Sequence, residues 1–265
     1  MSVTVRDIQA FRERGERFAM LTAYDALSAR LLDDAGIPII LVGDTLGMVV
    51  LGHDDTLPVT VDQMIHHTAA VRRGVTNALV VGDMPFMSYQ ASIEEGFRNA
   101  GRFLKEGRAH AIKLEGGGRV LELVHRLTDA GIPVMGHLGL TPQSVNQFGG
   151  YRVQGRSDEA AHQIVKDAKA LEASGAFALV LEAVPSEVAR EVTDSLRIPT
   201  IGIGAGPHCS GQVLVFHDFL GITEGKAPRF VKRYASLGDE IKAAAATFAR
   251  EVAQGTYPGP EHTYE

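Results

Sequence analysis

Two kinds of pattern alternate along the chain. Short apolar runs, rich in β-branched residues and too brief for helices, recur throughout: FAMLT, IPIILVG, NALVVGD, AIKLE, IPVMGH, FALVLE, IPTIGIG and VLVFHD. Continuous apolarity without polar alternation marks strands buried on both faces, as in a parallel sheet covered by helices. The stretches between them have helical spacing and helix-start signals. Thr60 with Gln63 and Ser92 with Glu95 fit capping boxes, and Ser157 stands where it would cap a helix running to Gly175. The connections repeat too: AGIPII at 35–40, AGIPVM at 130–135 and, more loosely, LRIPTI at 196–201. Gly ends a helix in the first two, and in all three Pro forbids its continuation before a strand begins.

Strand and helix in alternation, eight times over 265 residues, predict an α/β fold, a single (β/α)8 TIM barrel, with a doubly wound open sheet as the alternative. No linker divides the chain, so residues 1–265 are expected to form one domain. Residues 221–255 read as helical and Ala-rich toward their end, a last helix with an extension, and TYPGPEHTYE reads as a loose tail.

Composition narrows the partners. With 45% hydrophobic and 22% charged residues the chain is an ordinary globule, neither fibrous nor disordered. A net charge of −6 and the lack of a long basic run count against nucleic acid, whose binding rests on Lys and Arg neutralising phosphates. No apolar stretch approaches the roughly 20 residues that span a bilayer, and the N-terminal residues lack the apolar core of a signal peptide. Cys209 is the only cysteine, so no intrachain disulfide forms. The expected setting is the cytoplasm, with no membrane partner.

In a parallel barrel the C-terminal strand ends meet on one face, where active sites are built. Those ends carry Asp44, Asp83, Lys113 with Glu115, His137, Glu182 and the glycines of GIGAG, 202–206. Four acids on one mouth shift one another's pKa values unless something cationic is present. Their donors are all oxygen, and no zinc-type Cys or His spacing occurs, so a hard cation, Mg²⁺ before others, is expected. Lys113 and Glu115, two residues apart, point to the same side of a strand. Other readings stay open here: any one acid as a cap or solvated loop residue, Lys113 as a structural partner of Glu115, His137 as a core histidine. His66 and His67 read as packing and surface residues. GIGAG is a weak phosphate-cradle signal, because Pro207 stands where GxGxxG requires Gly, and its glycines could equally serve close backbone approach.

Longer motifs add a resemblance. LTAYDALSA, GDTLGMVVLGHDDTLPVT, DMPFMSYQ, KLEGG, GHLGLTPQSVNQFGGYRVQGR, LVLEAVP, IGIGAG and GQVLVFHDFLGI, in this order, resemble the 3-methyl-2-oxobutanoate hydroxymethyltransferase (ketopantoate hydroxymethyltransferase) family over residues 3–230. The resemblance implies a metal-dependent (β/α)8 barrel that moves a one-carbon unit from 5,10-methylenetetrahydrofolate to 3-methyl-2-oxobutanoate. The product is 2-dehydropantoate, in pantothenate and coenzyme A biosynthesis. On matching positions it implies Mg²⁺ at Asp44, Asp83 and Glu115, the keto acid at Asp44, Thr45, Asp83 and Lys113, and Glu182 as proton acceptor. It also implies a homo-oligomer, a decamer of stacked pentameric rings. Two departures are visible. Thr45 replaces the usual Ser and keeps its hydroxyl, and Ser210 stands where many members place Asp.

Two other readings compete. The phosphoenolpyruvate mutase and isocitrate lyase group also uses Mg²⁺ and 2-oxo acids, but with a reactive cysteine on a mobile loop, whereas Cys209 follows the seventh apolar run. The other is a non-catalytic barrel that only assembles into rings.

Overall fold

Each apolar run becomes one strand of a closed, all-parallel barrel. The structure, a computed structural model, describes residues 2–225 and 227–265. The strands are β1 (Phe18–Thr22), β2 (Ile39–Val42), β3 (Leu79–Asp83), β4 (Ala111–Lys113), β5 (Val134–Gly139), β6 (Ala178–Glu182), β7 (Thr200–Ile203) and β8 (Gly211–Leu214). They pair in chain order, and β8 closes on β1 with Leu214 beside Leu21. The (β/α)8 expectation holds, and the open sheet is excluded.

Alternation along each strand builds the interior. One buried apolar cluster takes Met20, Ile39, Leu41, Leu79, Val81, Ala111, Met135, Ala178, Val180, Ile201 and Val213. Within a strand these stand two apart, so they share a face. Ile8, on the helix Val5–Glu13, is fully buried in the same cluster. That helix starts with a Thr4–Asp7 capping box, and Val3 N–H donates to Asn77 O, just before β3, at 2.6 Å. The helix therefore lies at the end of the barrel where the strands begin, which leaves the opposite end open for chemistry.

Asp33 shows how a connection is held. It lies near the end of the helix Ala26–Asp34 and accepts from the backbone N–H groups of Thr76, Asn77 and Ala78 at 2.6–3.1 Å and from Asn77 Nδ2 at 3.2 Å. Burial alone would raise its carboxyl, but these bonds outweigh it and hold the pKa below the usual value. A depressed folded-state pKa gives stability that is fully present above the unfolded value near 3.9 and disappears as pH falls through the folded value. Asp33→Ala, which orphans those donors, is expected to lower stability by about 3 kcal/mol at pH 7. In urea unfolding the difference should shrink below about pH 4; a difference that ignores pH would mean that the charge does not hold this turn.

Helix starts follow the sequence closely. Thr60 and Gln63 form the full reciprocal box, and Ser157 accepts from Ala160 N–H. At Ser92 half of the box forms: its hydroxyl accepts from Glu95 N–H at 3.2 Å, with no return bond from the Glu95 side chain among the described residues. The eighth run is displaced. β8 starts at Gly211 and stops at Leu214, and Phe216–Phe219 is a short helix. Gly211 is required beside β1, because a Cβ there would lie 2.7 Å from the Phe18 ring.

The chain divides into two compact units, one ending at Val215 and holding the whole barrel, the other spanning Phe216–Glu265. In the second, only Leu237–Gln254 of the expected 221–255 helix is α-helical. Gly225 at φ +82° and Pro228 interrupt the stretch before it, since proline lacks the N–H that a helix interior uses; Lys226 lies outside the described residues. The expected loose tail carries a short turn at Pro260–His262, and Tyr257 packs edge-on against Phe248 with centroids 5.3 Å apart. Among the described residues no helix is long and apolar enough to cross a membrane.

Candidate active site

The alternation that fills the barrel also places the site. Asp83 continues the inward series of Leu79 and Val81, Lys113 and Glu115 that of Ala111, His137 that of Met135, and Glu182 that of Ala178 and Val180. These five side chains form a polar layer directly above the apolar core, at the strands' C-terminal ends. Asp44 arrives from the turn after β2, and its backbone N–H donates to Asp83 Oδ2 at 3.3 Å. Thr45 is half-buried at the start of the short helix Leu46–Val49, with no side-chain bond to the cluster among the described residues.

The distances define one connected group. Lys113 Nζ donates to both oxygens of Asp83 at 2.7 and 2.8 Å and lies 3.9 Å from Glu115 Oε1. Asp83, then, is the closer partner of the lysine. His137 lies between two acids, with Nδ1 3.4 Å from Glu115 Oε1 and Nε2 3.4 Å from Glu182 Oε2. Both contacts are long for hydrogen bonds, and Glu115 Oε1 and both ring nitrogens are buried with no hydrogen-bond partner among the described residues. Only Glu182 keeps appreciable solvent contact, its side chain 18% exposed. Gly139 brings its backbone close: at φ +93°, a Cβ there would stand 2.2 Å from Glu182 O.

Electrostatics show what the group lacks. Burial, then the charges of Asp83 and Glu115, push the Asp44 carboxyl well above its usual range against the pull of Lys113. Burial also raises Asp83 despite Lys113. Burial pushes Glu115 up, but His137 and Lys113 bring it below the ordinary value. For His137, burial and Lys113 act downward, and Glu115 with Glu182 outweigh them, taking it up to about 9. Lys113 is opposed by burial, yet Asp83, Glu115 and Asp44 hold it charged. The layer is short of positive charge, its orphaned Glu115 oxygen is an acceptor, and its donors suit a hard cation. Among the described residues no three His, Cys, Asp or Glu side chains close on a metal position by themselves. Asp44, Asp83 and Glu115 thus offer oxygen donors of the kind a hard cation takes, without converging on a preformed metal position.

Sequence reasoning passed over Gln143 and Tyr89, both buried against this layer. Gln143 Nε2 donates to Asp44 Oδ2 at 3.0 Å, and the Tyr89 hydroxyl donates to Gln143 Oε1 at 2.8 Å. The one available signal was that both stand in long motifs directly after strand ends. Other candidates fall outside the site. His67 Nδ1 contacts Tyr24 O at 2.7 Å, a packing role. In GIGAG, a Cβ on Gly206 would lie 2.4 Å from Ser186 Oγ, so that glycine serves close approach. Ser210 is buried beside Thr200, its N–H 3.3 Å from Thr200 Oγ1, where β7 and β8 begin and thus at the far end of the barrel from the mouth. Cys209 is 2% exposed and burial pushes its thiol up, the opposite of a reactive cysteine.

A closed parallel barrel with buried, unbalanced titratable groups at its C-terminal mouth defines a TIM-barrel enzyme. The family profile described as ketopantoate hydroxymethyltransferase matches residues 2–260. A 3-methyl-2-oxobutanoate hydroxymethyltransferase of Syntrophus aciditrophicus is 57% identical over 262 residues, 99% of this chain and 96% of that protein. Another, from Clostridium botulinum, is 51% identical over 265 residues, 100% of this chain and 96% of that one. The chain belongs to the ketopantoate hydroxymethyltransferase family and is a hydroxymethyl-transferring enzyme, not a passive ring-forming barrel. In fold it also resembles a crystal structure of 2,3-dimethylmalate lyase, a PEP mutase/isocitrate lyase superfamily member, with TM-score 0.62 and 17% identity over 98% of this chain and 93% of that one. That likeness is one of architecture.

Proposed function

We propose that the chain transfers a hydroxymethyl group from 5,10-methylenetetrahydrofolate to 3-methyl-2-oxobutanoate, giving 2-dehydropantoate on the route to pantothenate and coenzyme A. Asp44, Asp83 and Glu115 hold Mg²⁺ in this reading. The observation that carries it is the buried layer of acids with too few cations of its own. A 2-oxo acid offers a carboxylate and a keto oxygen side by side, and a divalent cation bound with it supplies the positive charge that eases loss of the C3 proton.

The chain's own residues do the rest. Lys113, held charged beside Asp83, adds a fixed cation where negative charge develops on the substrate. Thr45 offers its hydroxyl and backbone N–H to the keto acid. Glu182, the most accessible acid of the layer, takes the C3 proton, and His137 lies between it and Glu115, 3.4 Å from each. Water adds to the folate-borne methylene, both of its carbon–nitrogen bonds break, and tetrahydrofolate leaves with the two water protons on its nitrogens while the carbon is released at the formaldehyde level. The C3 carbanion bonds to that carbonyl carbon, and the resulting alkoxide takes the proton held by Glu182 to become the product's hydroxyl.

Purified protein with Mg²⁺, the keto acid and 5,10-methylenetetrahydrofolate is expected to form 2-dehydropantoate, measured by mass spectrometry. Chelation of the metal or omission of the folate should abolish it, and no product under full conditions overturns the proposal. The setting in this reading is the cytoplasm, and the family's homodecamer is the assembly, which sedimentation measures directly.

A further inference from the structure

The Gln143 side-chain amide uses all of its hydrogen-bonding capacity. Nε2 donates to Asp44 Oδ2 at 3.0 Å and to Met84 O at 2.8 Å, and Oε1 accepts from the Tyr89 hydroxyl at 2.8 Å and from Gln90 Nε2 at 2.9 Å. Two donors and two lone pairs are all that a glutamine amide has. Its orientation is fixed by these partners, because a flipped amide would set oxygen against the Asp44 carboxylate and the Met84 carbonyl. The backbone N–H of the same residue donates to Glu115 Oε2 at 3.1 Å. Gln143 sits in a 3₁₀ turn, Pro142–Ser144, directly beyond β5, and is 5% exposed. One residue thus bonds Asp44, which follows β2, and Glu115, which follows β4.

We propose that Gln143 is a positioning residue: it fixes Asp44 and Glu115 relative to each other by engaging one oxygen of each, and leaves the second oxygen of each to the ligand. This rests on the reading that these carboxylates take a divalent cation together with the 2-oxo acid. Groups that orient metal ligands from behind commonly change metal affinity by about 10- to 100-fold when they are removed. A purely structural glutamine would instead knit the turns after β3 and β5 together and leave the ligand untouched.

A double-mutant cycle separates the two roles. Mg²⁺ is titrated calorimetrically into the full-length protein in the presence of 3-methyl-2-oxobutanoate and without folate, so that no turnover occurs. Gln143→Leu is expected to weaken Mg²⁺ binding about tenfold or more. Added to Asp44→Ala it should weaken binding little further, because the carboxylate through which the side chain acts is already gone. Additive losses in the double variant, with each single variant folded by circular dichroism, overturn the positioning role. So does parent-like affinity in Gln143→Leu while Asp44→Ala is weakened, and that result leaves the proposed function intact. Parent-like affinity in Asp44→Ala removes the metal reading itself and this inference with it. If Gln143→Leu does not fold, Gln143→Met takes its place in the cycle, since it keeps the length of the side chain and removes the Nε2 donor without adding a charge or an oxygen ligand.

Discussion

Lys113→Met is expected to lower turnover by about 10²-fold or more and to weaken the fold of the metal-free protein. The lysine is 4% exposed and bonds both oxygens of Asp83, with Glu115 at 3.9 Å. Methionine fills nearly the same volume but leaves Asp44, Asp83 and Glu115 in a buried layer without the ammonium. Breaking a buried pair in this way costs about 3–5 kcal/mol, lessened where the acids take up protons instead of staying ionised. Under the proposed function Mg²⁺ binds this layer and offsets the same shortage of charge, so it is expected to raise the melting temperature of the variant more than that of the parent. Thermal melts with and without Mg²⁺, and rates measured where the variant is folded, check both halves. Parent-like turnover in the folded variant would remove Lys113 from the chemistry. Failure to fold even in Mg²⁺ would make it a structural lysine.

The layer was legible because two simple periodicities meet there. Strand alternation carries the inward series from Val81 to Asp83, from Ala111 to Lys113 and Glu115, and from Val180 to Glu182, and a parallel barrel brings those strand ends together. Asp44 was visible as a carboxylate that stops an apolar run. His137 was not decidable from the chain, since one histidine near a strand end fits core or site equally; the geometry puts its ring between Glu115 and Glu182. Gln143 was invisible for another reason. It reaches Asp44, 99 residues away in sequence, from a turn, where no periodicity announces which way a side chain points. The eighth run and β8 differ because β8 pairs with β1 only from Gly211 beside Phe18 to Leu214 beside Leu21, and the chain then enters the short helix Phe216–Phe219, whose apolar Phe216 prolongs the pattern. In the C-terminal unit, the Ala-rich composition of Leu237–Gln254 was extended backward across Gly225 and Pro228, two residues that a helix interior disfavours.

Glu182→Gln is expected to slow exchange of the C3 proton of 3-methyl-2-oxobutanoate with solvent by about 10²-fold or more, the usual scale of general-base catalysis. If proton removal precedes one-carbon transfer, the parent enzyme with Mg²⁺ and the keto acid exchanges this proton in D₂O with no folate present. Glutamine keeps the size and most of the hydrogen bonding of Glu182 but cannot accept a proton. Its backbone frame should persist, because Leu140 N–H holds Glu182 O at 2.8 Å and Ala183 N–H reaches Ile203 O at 2.9 Å. Ala183 itself is left-handed at φ +46°, a conformation that non-glycine residues adopt only where their surroundings impose it, so the turn after Glu182 is tightly determined. Metal and keto-acid affinity should therefore change little in the variant. Proton NMR follows loss of the C3 signal directly, and chelation of Mg²⁺ is the control that stops exchange in the parent. Should the variant exchange at the parent rate while overall turnover is lost, Glu182 acts later than proton removal, and His137, with Nε2 3.4 Å from it, becomes the residue to replace next.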